Sequence, residues 1–432
     1  MMYEMRPSSV YVHESVEADP RYRQRVDRVV GALANTPERI IYRDEDLPGL
    51  IAEGKLLAGR VPMGTLGEIP DPILLFNTFR LDGRRAERMA WLQEACGGFD
   101  GYELHNALLG YGPFRWWTEE NLRQRICRPC WRVHFQNGCA HKCRYCSLGG
   151  LLASMVNVED YVEQFARLIE QNPWQETFLL EDDADVLCLE PELGCLGEII
   201  EFFGRQEGKY LIIHTKSANV EWMSDLRHNG NTIIVWSIAG RTQSDVFEPV
   251  AGTLPERVAA ARKAQDAGYT IRYKFKPIIP VRGWREEAAE AVEMTLAQTK
   301  PDVISLCVFM WMDVEEMKRR LDPSMLDAEL LAAAEGAVAE MADDPCKPFP
   351  PDARAAVYDL YFEEIRKHNA DVPVSLSTES PSVWKRLGPK LSTGPARYVC
   401  GCGPNSIPWR RTLSCNPFEI ASGGPVGGFE TM

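Results

Sequence analysis

The sequence predicts an α/β protein built on a partial (β/α)6 barrel at about residues 131–320, with an N-terminal α/β extension (1–130) and a C-terminal helical and loop region (321–432). Three observations carry that prediction. Six short β-rich runs recur: "WRVHFQNG", "ETFLLEDD", "KYLIIHTKS", "NTIIVWSIAG", "TIRYKFKPII" and "DVISLCVFMW". Helical patterns such as "VEDYVEQFARLIEQ", "LGEIIEFFGRQ", "LPERVAAARKAQDAG" and "REEAAEAVEMTLAQ" lie between them. Strand–helix units in series imply parallel strands joined by crossover helices. Finally, a length of 432 residues accommodates one large barrel with additions.

The flanking elements follow the same logic. "SVYVHES" reads as a short strand, "RYRQRVDRVVGALA" as an amphipathic helix and "ERIIYRDED" as a second strand. The aromatic stretch "GYGPFRWWTEENLRQRI" leads into the barrel, its Trp-Trp pair being read as packing. Beyond residue 320, "LDAELLAAAEGAVAEMADD" and "AVYDLYFEEIRKHN" read as helices separated by a Pro-rich break. The Gly-, Pro- and Ser-rich tail is expected to form surface loops.

Composition narrows the chemistry. Hydrophobic residues at 45% and charged ones at 25% are ordinary for a globular chain. The net charge of −14, from 62 acidic and 48 basic residues, works against attracting a polyanion at long range. The first twenty residues hold no apolar core of a secretory signal, and no run approaches the roughly 18 apolar residues of a membrane span. Thirteen cysteines in such a chain point to metal or redox chemistry in a reducing cytoplasm, with no membrane partner, and not to disulfides.

The chemistry concentrates in "NGCAHKCRYCSLGG", where Cys139, Cys143 and Cys146 are spaced C-x3-C-x2-C. This loop follows the first barrel strand, at the carboxyl end where sites in such folds gather. Incidental burial fits poorly with a polar loop that also carries His141, Lys142 and Arg144. A structural zinc would take His141 or a distant cysteine as its fourth ligand, but no second C-x2-C knuckle follows at the usual spacing. An iron–sulfur cluster normally takes four cysteines. Three therefore leave one iron with an open position.

That combination resembles the radical S-adenosylmethionine (SAM) superfamily, with Tyr145 as the aromatic before the last cysteine. Two longer stretches, "HTKSANVEWMSDLRHNGNTIIVWSIAG" and "FEPVAGTLPERVAAARKAQDAGYTIRYKFKPIIPVRGW", are similar to the spore photoproduct lyase branch. The resemblance implies a [4Fe–4S] cluster on Cys139, Cys143 and Cys146, with SAM on the open iron. It further implies Tyr145 against the adenosine, Lys216 on the methionine carboxylate and Ser237 on another polar group of SAM. Reduction by an external donor such as flavodoxin or ferredoxin would then cleave SAM to a 5′-deoxyadenosyl radical. The likeness departs in two places. Where the lyases carry a hydrogen-donating cysteine in a pattern like "FEAxCTSD", this chain has "FLLEDDAD", placing Asp182 at the cysteine position. Ser147 stands where they carry a tyrosine.

A carboxylic acid does not hand a hydrogen atom to a carbon radical as a thiol does, because its O–H bond is too strong. Asp182, with Glu181, Asp183 and Asp185, is therefore expected to bind a cationic substrate, hydrogen-bond a sugar or amine, or act as a general base, or else to cap a helix or be solvated. On this reading Asp182 and Tyr145 are the catalytic candidates. The acidity and the lost cysteine favour a small metabolite or natural-product precursor as substrate. Repair of a thymine photoproduct in DNA is the alternative, with Arg272, Lys274, Lys276, Arg282, Arg410 and Arg411 as a basic groove. For Cys400, Cys402 and Cys415 three readings stay open: an auxiliary iron–sulfur cluster, a mobile thiol, or a structural role. "CRPC" (Cys127 and Cys130) is expected to pack near the cluster, and the other cysteines to be small core or surface residues.

Overall fold

The computed structural model describes residues 4–56, 70–97, 106–117, 125–391 and 393–413. Within them lie strands β1 (Ser9–His13), β2 (Glu38–Tyr42), β3 (Ile73–Asn77), β4 (Phe114–Trp117), β5 (Cys130–Val133), β6 (Gln136–Asn137) and β7 (Leu151–Met155). They continue with β8 (Thr177–Leu180), β9 (Tyr210–Thr215), β10 (Thr232–Ile238), β11 (Thr270–Ile278), β12 (Ile304–Val308) and β13 (Val374–Leu376). Two sheets result. One runs β2-β1-β3-β7-β6 and the other β13-β12-β11-β10-β9-β8-β5-β4. Within the larger sheet every neighbouring pair is parallel except β4 against β5.

The six β-rich runs become β5 and β8–β12 in unbroken spatial order. The two-residue period of a strand sorts their side chains. Phe178, Leu180, Ile213, Ile234, Trp236 and Phe275 join the main core. Leu179, Ile212, Ile233 and Val235 form a separate apolar cluster, as residues on the opposite face must. The crossovers are helices Val158–Gln171, Leu196–Gly204, Leu254–Asp266 and Trp284–Gln298. Helix Leu254–Asp266 starts where it does because Thr253 and Glu256 form a capping box with Pro255 in the first turn.

The smaller sheet holds two strands that the sequence did not announce. Both β3 ("ILLFN") and β7 ("LLASM") are short apolar runs, and they pair in parallel. The cysteine loop therefore leaves from β6 and returns into β7, two paired neighbours at the edge of the smaller sheet. Beside β1, Asp44 collects Arg80, Arg88 and, at 3.3 Å, His13.

Residues 400–408 of the C-terminal tail are buried or half-buried and do not form a surface loop. Residues 400–410 close the mouth of the barrel at the amino ends of the strands. The Glu176 and Thr177 amides donate to the Pro404 carbonyl, each at 2.9 Å. Arg272, fully buried and paired with Asp302 at 2.7 Å, donates to the Cys400 and Ser406 carbonyls at 3.3 and 2.6 Å. The Gly401 amide donates to the Ser305 hydroxyl at 3.1 Å. The tail lacks periodicity because its backbone hydrogen bonds go to strand ends and buried side chains, not to a ladder of its own.

Candidate active site

The loop is folded around its own sulfurs. Gly138 takes φ +93°, and a Cβ there would sit 1.8 Å from the Leu151 carbonyl oxygen, so β6 and β7 approach this closely only at glycine. The Gly138 amide donates to the Asp183 carbonyl (2.9 Å), Cys139 to Leu148 (2.8 Å) and Arg144 to Phe247 (2.9 Å). Two amides point at sulfur: His141 to Cys139 at 3.5 Å and Leu148 to Cys146 at 3.4 Å. The Cys188 thiol also donates to Cys139, holding its pKa down at about 6. Burial pushes the Cys143 thiol the other way.

Beneath the loop sits a buried ion pair, His141 Nε2 to Asp185 at 2.7 Å. Burial opposes charge on both partners, yet each sustains the other: the carboxyl is held low and the imidazole raised. Asp185 also accepts from the Thr215 hydroxyl (3.0 Å) and the Lys216 amide (2.8 Å), fixing the chain after β9.

A second network lies under Tyr145 and Lys216. The Tyr145 hydroxyl and the Arg257 guanidinium both donate to Glu248, with the Gln243 amide at 3.1 Å and Lys216 Nζ at 3.8 Å. Glu248 and Arg257 are fully buried. Burial works to raise the Glu248 carboxyl, but Arg257 and then Lys216 outweigh it and hold it at about 2. Arg257 also donates to the Ser237 carbonyl at 2.9 Å, tying β10 into the network. Cys139, Cys143, Cys146, Tyr145, Lys216 and Ser237 thus share one end of the barrel. Lys216 and the Ser237 side chain are half-buried there.

The acidic loop is already committed inside the protein. Glu181, at φ +64° and fully buried, accepts from the Phe135 and Gln136 amides and from His134 Nδ1 at 3.0 Å. Asp182 pairs with Arg132 and, at 3.3 Å, with Arg115, which also reaches Asp183 at 3.3 Å. Asp185 serves His141. The loop therefore offers little uncompensated negative charge to a cationic ligand.

The donor set fits an iron–sulfur cluster better than one tetrahedral ion. Sulfurs on a single zinc lie about 3.8 Å apart, given a Zn–S bond of about 2.3 Å. The sulfurs of Cys139, Cys143 and Cys146 do not converge to within 4.8 Å of one another. Cys139, His141 and Cys188 do, but that trio borrows Cys139 from the loop and its imidazole is already bound to Asp185. His141 Nδ1 is buried without a partner among the described residues, an N–H left for a sulfide or thiolate.

Three of these groups escaped the sequence reading. Glu248 and Arg257 sit in the "FEP…ER" pattern quoted for the resemblance, so their positions were visible but their pairing was not. Cys188 gave no signal, since it acts on Cys139, far along the chain. Glu181 was read among the acids of the loop, but not as the acceptor for Phe135 and Gln136. Cys415 lies outside the described residues.

Comparison with known proteins places this geometry. A family model described as spore photoproduct lyase matches residues 128–311. The spore photoproduct lyase of Bacillus subtilis (strain 168) is 30% identical over 178 residues, 40% of this chain and 52% of that protein. That of Clostridium acetobutylicum is 26% identical over 185 residues, 41% and 55% respectively. The chain spans about half the length of the relatives it matches. A solved spore photoproduct lyase mutant with bound AdoMet and dinucleoside spore photoproduct has a TM-score of 0.56 at 17% identity, covering 88% of this chain and 100% of its own. A spore photoproduct lyase complexed with dinucleoside spore photoproduct gives 0.54 at 16%, covering 87% and 99%. At such identity these two structures speak to the fold alone. The matched segment carries the cysteine loop, Lys216, Ser237, Glu248 and Arg257, so over that segment the chain is similar to spore photoproduct lyases, and it shares their fold.

Proposed function

We propose that this protein is a radical SAM enzyme acting on an anionic, base-bearing substrate of the spore photoproduct type. The cysteine loop beside Lys216 and Tyr145, inside the matched segment, carries this reading. Cys139, Cys143 and Cys146 would hold a [4Fe–4S] cluster and Lys216 the carboxylate of SAM. Bound there, the two would supply one-electron radical chemistry for abstracting hydrogen from a substrate. The protein's own part is positioning. Glu248 fixes the Tyr145 hydroxyl and stands 3.8 Å from Lys216, leaving that ammonium free to add a charge-assisted hydrogen bond to a carboxylate.

The preference for a small metabolite or natural-product precursor loses the support of the acidic loop, because Arg132, Arg115, His134 and His141 already match it. The original basic groove changes too: Arg272 and Arg410 pair with Asp302 and Glu176 and hold the tail. Lys276, from the same set, lies 5.1 Å from the ring centre of exposed Trp311, beyond the carboxyl end of β12. A cavity of about 330 Å³ on the near side of β6 is lined by Phe79, Tyr111, Trp131, Arg115 and His134. Its aromatic faces suit a stacked base.

Asp182 favours a second reading. Without a thiol at that position, the radical could be delivered to a substrate whose product does not need a hydrogen returned from the second-strand loop. One experiment separates the readings. Reduced, reconstituted protein is given SAM and dinucleoside spore photoproduct, with Cys139→Ala as control. Cysteine-dependent release of thymine dinucleoside supports the first reading. Release of 5′-deoxyadenosine without repair moves the assignment to the second, and no 5′-deoxyadenosine at all removes both.

A further inference from the structure

The opposite end of the same barrel holds a second set of four thiols, and we propose that Cys127, Cys130, Cys400 and Cys402 bind a second [4Fe–4S] cluster. Cys127 and Cys130 bracket "CRPC" at the start of β5, and Cys400 and Cys402 bracket "CGC" in the tail that closes the barrel floor. The fold brings these segments together. The Arg128 guanidinium donates to the Tyr398 carbonyl at 2.6 Å, stacks 3.7 Å over the Tyr398 ring and reaches Cys400 Sγ at 3.8 Å. The Cys400 thiol hydrogen-bonds Cys402, Cys402 lies within electrostatic reach of Cys130, and Cys127 within reach of both Cys130 and Cys400. Arg128, which stands between Cys127 and Cys130 in the chain, thus ties the two cysteine segments together at Cys400 Sγ. CRPC accordingly serves the barrel floor and not the loop of Cys139.

Charge points to an anionic guest. Arg128 and Lys274 are 2% and 5% exposed. Among the described residues neither pairs with a carboxylate. Lys274 Nζ instead faces Cys402 Sγ at 3.7 Å and His214 at 3.4 Å. Unmatched buried cations are costly. A cluster held by four thiolates is anionic and supplies the missing charge. No three of these sulfurs converge to within 4.8 Å, wider than a single tetrahedral ion needs and the same trait found in the loop of Cys139. The glycines leave room for the strap: a Cβ on Gly403 would fall 2.8 Å from Cys400 Sγ, and one on Gly401 3.4 Å from Val235. With all four corners ligated by cysteine, this cluster would have no open iron and would not be a second SAM site.

The inference does not rest on the proposed reaction, and its test uses no turnover. The full-length Cys139→Ala/Cys143→Ala/Cys146→Ala variant is purified without oxygen and reconstituted with iron and sulfide. Iron, sulfide and zinc are counted, and Mössbauer spectra are recorded. About four irons and four sulfides per chain are expected, against about eight of each in the unsubstituted protein. Adding Cys400→Ser and Cys402→Ser, or Cys127→Ser and Cys130→Ser, should bring the triple variant below one iron. An unsubstituted protein that saturates near four irons overturns the proposal even where a variant fails to fold. So does zinc in place of iron, or iron that survives both pairs of serine substitutions. If the reaction assay is silent while the triple variant still holds its cluster, only the functional reading falls.

Discussion

Glu248→Gln isolates the charge under the candidate active site. The substitution keeps the shape and leaves an oxygen for Tyr145, but it strands the buried Arg257 guanidinium and the nearby Lys216. A carboxyl held at about 2 against an ordinary 4.5 contributes about 3 kcal/mol at neutral pH, at about 1.4 kcal/mol for each tenfold change in proton affinity. The sign follows from a lowered carboxyl. The unfolded chain binds the proton more readily, so the contribution is complete above pH 4.5 and fades as pH falls from 4.5 through about 2. Urea unfolding of cluster-free protein, followed by tryptophan fluorescence from pH 7 to pH 2.5, reads it directly. The variant should be less stable by about 3 kcal/mol at pH 7, and the gap should shrink steadily below pH 4.5. A gap under about 1 kcal/mol at pH 7, the size of one neutral hydrogen bond, would refute the reasoning. So would a gap of the expected size that ignores pH, because the loss would then come from packing.

Other perturbations have equally definite outcomes. Gly138→Ala should abolish the loop, since φ +93° and a 1.8 Å approach to the Leu151 carbonyl leave no place for a methyl; iron at the site of Cys139 should drop below one-fifth of normal, measured against the unsubstituted chain. Lys216→Met should weaken SAM binding by about 10- to 100-fold, the value of a charge-assisted hydrogen bond, read by isothermal titration of the cluster-loaded protein; an unchanged affinity would remove Lys216 from the site. Asp44→Asn should destabilise the smaller sheet by about 3 kcal/mol because Arg80 and Arg88 lose their counter-charge. Hydrogen exchange in β1 should rise at pH 7 and converge with the parent below the ordinary carboxylate range, since burial is outweighed by His13 and Arg80, which hold Asp44 low.

How much was legible in the sequence depended on whether a partner lay nearby along the chain. The barrel strands were readable because each is a local run of β-rich residues followed by a helical pattern. The cysteine loop was readable because three ligands fall within eight residues. Strand β7 was not, since "LLASM" is too short for its period to distinguish a strand from the flank of a helix, and only pairing with β3 decides it. The acidic loop misled for a related reason. Asp182 reads as free charge beside Glu181 and Asp183, while its partners Arg115 and Arg132 lie 67 and 50 positions away. The tail misled most: its glycines and prolines signal irregular backbone correctly, but irregular backbone belongs on the surface only when nothing inside the fold can receive its hydrogen bonds.

The strap of residues 400–410 also sets an order of events. The lumen residues Leu179, Ile212, Ile233 and Val235 are made early, and the segment that roofs them from below is made more than 160 positions after the last of them. Until it arrives, a growing chain carries a barrel with an apolar hole in its floor and a buried Arg272 lacking its carbonyl acceptors. Such an intermediate invites chaperones and proteases, and its long-range closure is slow. The barrel therefore matures only after synthesis has passed the tail, and a nick before Cys400 would reopen it from the side opposite the candidate active site.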